Sequence, residues 1–264
     1  MAFVRPPAVA GTFYAAGSQE LAKAVCGYLA QAGQPRTASA APKAIIAPHA
    51  GYVYSGQVAA RAYARLAPLR KTITRVVILG PAHYVPLRGL AVSNAEAFAT
   101  PLGIVPVDRE AVAGILAFDQ VRRLEAAHER EHSIEVHLPF LQWVLEAFHI
   151  VPLLVGEARE DDVAEVLEAL WGGQETLIVV SSDLSHYHDS ATARRLDAAT
   201  SAAIEAGRGD AIGLDQACGA VPIRSLIKLA KRHRLRARTI DFRNSGDTAG
   251  PRDRVVGYGA YVLA

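Results

Sequence analysis

Three apolar runs in the sequence end on side chains that bind metals or move protons. Residues 44–47 (AIIA) lead through Pro48 to His49. Residues 76–79 (VVIL) lead through Gly80, Pro81 and Ala82 to His83. Residues 177–180 (LIVV) lead through Ser181 and Ser182 to Asp183, with His186 three positions on. Imidazole is the commonest protein metal ligand and titrates near neutral pH, so this set suits metal coordination or proton transfer. A lone histidine behind a strand is ordinarily a hydrogen-bonded loop residue. Three independent strand ends weigh against coincidence, because open α/β sheets bind ligands beyond the carboxyl ends of their strands. If the three strands are neighbours, these side chains converge on one cleft. Pro48, and Gly80 with Pro81, end their strands sharply. Gly51 and Gly56 flank Tyr52 and Tyr54 ahead of a helix rich in small residues, for which Ser55 is the expected N-cap. The ordinary reading of both tyrosines is packing with the hydroxyl satisfied.

Two other places hold reactive side chains. Residues 128–137 (HEREHSIEVH) contain three histidines and four charged residues, ahead of Pro139 at the expected start of a helix. Taken alone, this run reads as a solvated helix approach rather than a metal-binding loop. His132 and His137 are five apart and do not share one face of a straight helix. Cys218 (QACGA, 216–220) precedes a helix expected from residue 221. A thiol at a helix N-terminus tends towards the thiolate, the form that binds metals or attacks electrophiles; a free cysteine is otherwise a small buried hydrophobe. Cys26, at an apolar helical position, fits the second description. No zincin helix, CxxC zinc site, GxSxG elbow, P-loop or GxGxxG fingerprint is present. Residues 245–250 (SGDTAG), with Asp253 and Arg254, form a glycine-containing turn that orders a loop near the last strand.

The elements that must position these groups follow from the pattern of the chain. Short runs rich in Ile, Val and Leu at residues 44–47, 75–79, 149–155, 176–180 and 255–263 predict buried strands. Helical spacing predicts helices over 19–32, 55–66, 109–116, 139–147, 161–170, 191–206 and 221–233. The alternation predicts one three-layer α/β domain over residues 1–264, with a mostly parallel sheet covered on both faces. Residues 34–42 read as a loop. The 264 residues, 51% of them hydrophobic, are enough for a sizeable core and exclude a disordered or collagen-like chain. Lys and Arg (28) nearly balance Asp and Glu (26), which argues against nucleic-acid or membrane-surface binding. The richest basic stretch, 228–238, reads as the exposed side of a helix end. The N-terminus lacks the apolar core of a signal peptide, and no apolar run approaches the ~20 residues of a membrane span. Two cysteines build no disulfide framework and are expected to be reduced thiols of a cytoplasmic protein.

At residues 5–14 (RPPAVAGTFY), 48–56 (PHAGYVYSG), 79–83 (LGPAH), 131–139 (EHSIEVHLP), 181–186 (SSDLSH) and 218–219 (CG), the sequence resembles the Memo family, the B component of the AmmeMemoRadiSam system of bacteria and archaea. Residues 245–247 (SGD) and 256–258 (VGY) fit it as well. The resemblance implies an α/β fold similar to the class III extradiol dioxygenases, which cleave catechol rings. It implies a redox metal, iron or copper ahead of zinc, held by His49, His83 and Cys218, with Asp183 and His186 beside it. A histidine in a position similar to His186 acts as acid and base in the dioxygenase relatives. His132 and His137 would lie near the same cleft, against the solvated reading of their segment taken alone. Ring-cleaving enzymes use two histidines and a carboxylate; a thiolate in the third place is softer and moves the preference towards Cu(I), Zn or a more covalent iron site.

The leading expectation is therefore a metal-dependent oxidoreductase in which His186 transfers a proton, Asp183 orients it or a metal-bound water, and Tyr52, Tyr54, His132 and His137 line the pocket. Its substrate would be a small molecule. Family context implies a functional link to a radical-SAM protein and an AMMECR-type protein. A different class of function would use the same cleft as a non-catalytic binding module for a peptide or protein, since animal members of the family are linked to signalling and phosphopeptide binding. A zinc hydrolase is the third alternative.

Overall fold

The computed structural model describes residues 3–33 and 41–264, so most of the loop expected over residues 34–42 lies outside the described residues. The chain begins with β1 (Val4–Arg5), α1 (Ser18–Ala32), β2 (Ala44–Ala47), α2 (Tyr52–Tyr63), β3 (Arg75–Pro81), β4 (Leu90–Val92), β5 (Ala97–Thr100) and β6 (Gly103–Pro106). It continues with α3 (Arg109–Ile115), β7 (Val121–Arg123), α4 (Glu125–Glu129), α5 (Leu138–Val144), β8 (His149–Val155), α6 (Glu160–Ala169) and β9 (Thr176–Ser181). The last elements are β10 (His186–His188), α7 (Ser190–Glu205), α8 (Ala220–Arg232), β11 (Ala237–Asn244) and β12 (Val255–Leu263).

Strands β2, β9, β3 and β8 stand side by side and run parallel, in that order. Almost every one of their residues is buried, as expected of Val/Ile/Leu strands covered on both faces. On one flank β12 pairs antiparallel with β2 and carries β10 and β11; on the other β4 pairs antiparallel with β8 and carries β7. The sheet is thus mixed, with its parallel part in the centre. Helices flank it in packed groups, α1 with α2 and α5, and α6 with α8. A small second sheet, β1–β5–β6, holds the N-terminal segment. No helix of the described residues is long and apolar enough to cross a membrane.

The long buried strands and the helices fall within a few residues of their sequence expectations. Helix α2 is a correction: it starts at Tyr52 behind Gly51, so Ser55 is inside it, its hydroxyl donating to Ala50 O at 2.8 Å rather than capping the end. Cys26 is a second correction. Helix α1 buries Leu21 and Val25, and the next residue is rotated about 100° away, which leaves Cys26 exposed. Residues 245–247 form a single 3-10 turn closed by reciprocal bonds between Asn244 and Asp247, and Ser245 Oγ accepts from Val256 N at 3.1 Å, tying the turn to β12.

Candidate metal centre

The convergence condition is met. Strands β2, β9 and β3 are adjacent, with Ala47 opposite Ser181 and Val180 opposite Leu79, so they end at nearly one level. His49, Asp183 and His83 each lie two residues past a strand end. The segment 131–133 closes the same rim from the side. It approaches β3 so closely that a Cβ on Gly80 would fall 2.5 Å from Ser133 Oγ. Gly219 does the same for Cys218: a Cβ there would meet Ser181 O at 2.6 Å, so only glycine lets the start of α8 reach the end of β9.

His49, His83 and His132 form the centre of the site. Their ring centroids are 4.9–5.4 Å apart. One nitrogen from each lies within 4.8 Å of the others. The hydrogen bonds fix which nitrogens are free. Ser181 Oγ donates to Ser133 O at 2.5 Å, so it accepts at 2.6 Å from His49 Nδ1–H, which leaves the Nε2 lone pair of His49 unprotonated. That Nε2 stands 3.4 Å from Cys218 Sγ. A carboxylate only accepts, so His83 Nδ1–H donates to Glu131 Oε1 at 2.9 Å, which leaves Nε2 as the nitrogen a metal would take. His132 Nδ1 is buried without a hydrogen-bond partner; it lies 3.3 Å from Glu131 Oε1 but out of line. Burial holds the pKa of His49 well below the usual histidine range, and burial lowers His132 as well, so both present neutral imidazole, the form that ligates metals.

Glu131 organises this cluster. Its carboxylate accepts from His83 N (2.6 Å), His83 Nδ1 (2.9 Å), His132 N (2.8 Å) and Ser133 N (2.9 Å). Burial alone would raise its pKa, but these bonds and the neighbouring His83 outweigh burial and hold it down to about 2. Asp183 plays the matching part for His49. Its Oδ1 accepts from His49 N at 2.9 Å, while burial raises its pKa above the ordinary carboxylate value. Asp183 also clasps Cys218, its amide donating to Sγ at 3.2 Å and its carbonyl accepting from Cys218 N at 3.3 Å.

Cys218 corrects the helix-terminus argument. Burial, and then the Asp183 carboxylate, pushes its thiol up to about 12 despite the amide donor, so without a cation beside it the sulfur stays protonated. Neutral nitrogens with free lone pairs beside a buried thiol are a donor set of the kind that soft or borderline metals take. His49, His83 and His132 are the group that could hold a metal ion, and the Cys218 sulfur stands beside it, next to His49.

The other predicted site residues are spread around this centre. His186 lies half-buried at the start of β10, close enough for its charge to act on His49 and Asp183. Tyr54 is 40% exposed, whereas Tyr52 is buried among Tyr14, Tyr28 and Phe140, with its hydroxyl donating to Val136 O at 2.6 Å. His137 is fully buried behind the cluster, its Nδ1 2.7 Å from the Tyr63 hydroxyl. The solvated reading of residues 128–137 is overturned: only Glu129 and Arg130 are exposed. Its histidines and carboxylates bond to one another and to main chain from distant segments, which composition does not reveal. Sequence reasoning missed Glu131 and Ser181 as positioning groups. The available signal was that Glu131 directly precedes His132 and Ser181 directly ends the strand before Asp183.

The comparisons with known proteins agree with these residues. A family model described as "Memo-like protein" matches residues 5–262. The chain belongs to the Memo family. Proteins called "MEMO1 family protein" are 36% identical to it in Aquifex aeolicus (97% of each chain covered), Methanosarcina mazei (98% of this chain, 99% of the relative) and Aeropyrum pernix (97% and 98%). The Memo family match therefore spans the histidine cluster, Glu131, Asp183 and Cys218 together.

Proposed function

We propose that this Memo family chain is an oxidoreductase whose redox metal, iron or copper, is held by His49, His83 and Cys218, with His132 as a neighbouring fourth donor. The observation that carries this reading is that His49 and His83 are each engaged at Nδ1, which turns both Nε2 atoms to the shared rim where one nitrogen each of His49, His83 and His132 lies within 4.8 Å of the others. Bound there, the metal would supply electron exchange with oxygen or with a small-molecule substrate. The protein's own contributions are separable. Ser181 and Asp183 hold His49 from its ring and its amide, and Glu131 holds His83 and His132, so little reorganisation is needed on binding. His186, on the open side, is the residue placed to move a proton. The relation to class III extradiol dioxygenases, the cytoplasmic location, and the link to radical-SAM and AMMECR-type proteins belong to the same proposal.

Anaerobic titration with Fe(II) and Cu(I) tests it. The parent should bind one equivalent, and His49→Ala and Cys218→Ser should each bind more weakly. Equal affinity in parent and variants overturns the assignment. Iron-loaded protein should consume oxygen in the presence of a reductant. A binding module built on the exposed Tyr54, Tyr84 and Tyr187 would consume none and would keep its peptide when the metal donors are changed.

A further inference from the structure

The backbone beside His186 carries a feature the metal site does not explain. Tyr187 has φ +65°, a left-handed conformation that is unfavourable for a side chain of its size. Among the described residues Arg234 (φ +59°) is the other non-glycine of this kind, and it has a local reason: it stands two residues past the end of α8, where a left-handed residue terminates a helix. Tyr187 instead is the extra residue of a β-bulge, because His186 pairs with Val256 and His188 with Val255. Bulges beside active sites re-aim side chains. Here the bulge leaves the Tyr187 ring 64% exposed and 5.7 Å from the His186 ring. The Arg254 guanidinium lies over it at 4.5 Å.

The same pairing recurs beside His132. Tyr84, next to His83 in the chain and 47% exposed, has its ring 6.0 Å from that of His132, and the Arg130 guanidinium lies over it at 5.4 Å. Arg130 and Arg254 are both exposed, and neither is ion-paired to a carboxylate among the described residues. An exposed aromatic ring with an unneutralised cation over it thus stands next to His186 and another next to His132. Deeper in, the fixed charge is negative, that of the Glu131 carboxylate. An anionic group gains from the arginines only at the mouth, and a molecule carrying one would turn its uncharged end towards the histidines.

We propose that the site takes a small planar organic anion, stacked on Tyr187 with its charged group on Arg254, with Tyr84 and Arg130 as a second aromatic and cationic pair beside His132. This rests on the reading of the histidine cluster as the reactive end of the site. The bulge is retained because it presents the Tyr187 ring to the ligand. Stacking selects a flat molecule and the guanidinium selects its charge.

The test uses the metal-free chain and three probes, benzoate, its neutral isostere benzamide, and inorganic phosphate, followed by calorimetry or NMR titration. Benzoate should bind about tenfold more tightly than benzamide or phosphate, since a charge-assisted contact is worth roughly that factor. Arg254→Met should remove most of the preference for benzoate over benzamide. Tyr187→Gly should weaken benzoate while leaving the thermal midpoint unchanged or higher, because glycine adopts the bulge without strain. Three results overturn the proposal. Benzoate and benzamide bind alike, or phosphate matches benzoate, or Tyr187→Gly lowers the thermal midpoint with benzoate affinity intact, which would make the bulge a structural device only. The metal titration above is read separately. A chain that prefers benzoate but takes no iron or copper keeps this inference and loses the oxidoreductase reading; the reverse result does the opposite.

Discussion

Glu131 and Glu135 stand four residues apart in one segment, both buried, and each carboxylate accepts four hydrogen bonds. Their partners differ. Glu135 takes Arg5 Nη1 (2.7 Å), Ala8 N (2.7 Å), Val9 N (3.0 Å) and the Tyr14 hydroxyl (2.5 Å), all from the N-terminal segment. Arg5 itself is 2% exposed and donates also to His128 O and Glu131 O. Glu131 takes only groups of the site rim and its own turn. A permanent cation buried against Glu135 makes that carboxylate indispensable to the fold, since either partner alone would be an uncompensated buried charge. Glu131 holds the His83 ring at Nδ1 and the His132 main chain at its amide, so what it stabilises is a geometry that a metal can use. The same side chain serves the fold or the site according to what it binds.

The largest test of that contrast is Glu135→Ala. It should cost about 3–5 kcal/mol, as breaking one side of a buried ion pair does, measured by urea unfolding; a loss no greater than that of Glu131→Gln would break the comparison. Glu131→Gln comes next. It should lower Fe(II) or Cu(I) affinity by about 10–100-fold, as loss of a partner behind a ligand does, with a stability loss of about 1–3 kcal/mol. Unchanged metal affinity in that variant would mean Glu131 is a purely structural carboxylate. Ser181→Ala removes the acceptor on His49 Nδ1 and should weaken metal binding by about tenfold with the fold intact by circular dichroism.

Asp108 sets the small end of the scale. It caps α3 through Ala111 N (2.9 Å) and pairs with Arg75 (2.7 Å), but both partners are partly exposed. Burial would raise its pKa, yet the amide and Arg75 outweigh it and hold the carboxyl below its ordinary value. Its stabilisation is therefore present above the unfolded carboxyl pKa and is lost as pH falls through the folded one. Asp108→Ala should cost about 1 kcal/mol near pH 7, and the gap between parent and variant should narrow below about pH 4. A gap that stays constant into acid would show that the charge of Asp108 contributes nothing.

The legible part of this protein is the part encoded by local runs. Residues 44–47, 149–155 and 255–263 become strands with those bounds because a continuous Ile/Val/Leu run between polar or proline residues has one way to be buried at that length. His49, His83 and Asp183 are visible because each follows such a run at once. The short strands β4, β5, β7 and β10 carry too few residues to show a period, and β10 is further disguised by its bulge. Residues 128–137 differ for another reason: Glu135, His137, His128 and Ser133 bond through their side chains to Arg5, Tyr63, Ala91 O and Pro81 O, all distant in the chain. Cys26 differs by a one-residue rotation around α1 and Ser55 by a helix start three residues earlier than expected, and hydrophobic spacing alone resolves both poorly.

What the sequence determined by itself was the set of strands and the chemical types waiting at their ends, since strand formation and chain exit depend on neighbours a few residues away. Only the tertiary structure decided that β2, β9 and β3 stand together, that Glu131 rather than solvent faces His83 and His132, and which imidazole nitrogen is left free. Those outcomes depend on hydrogen bonds between residues dozens to more than a hundred positions apart, and a partner at such a distance leaves no periodic trace in the chain.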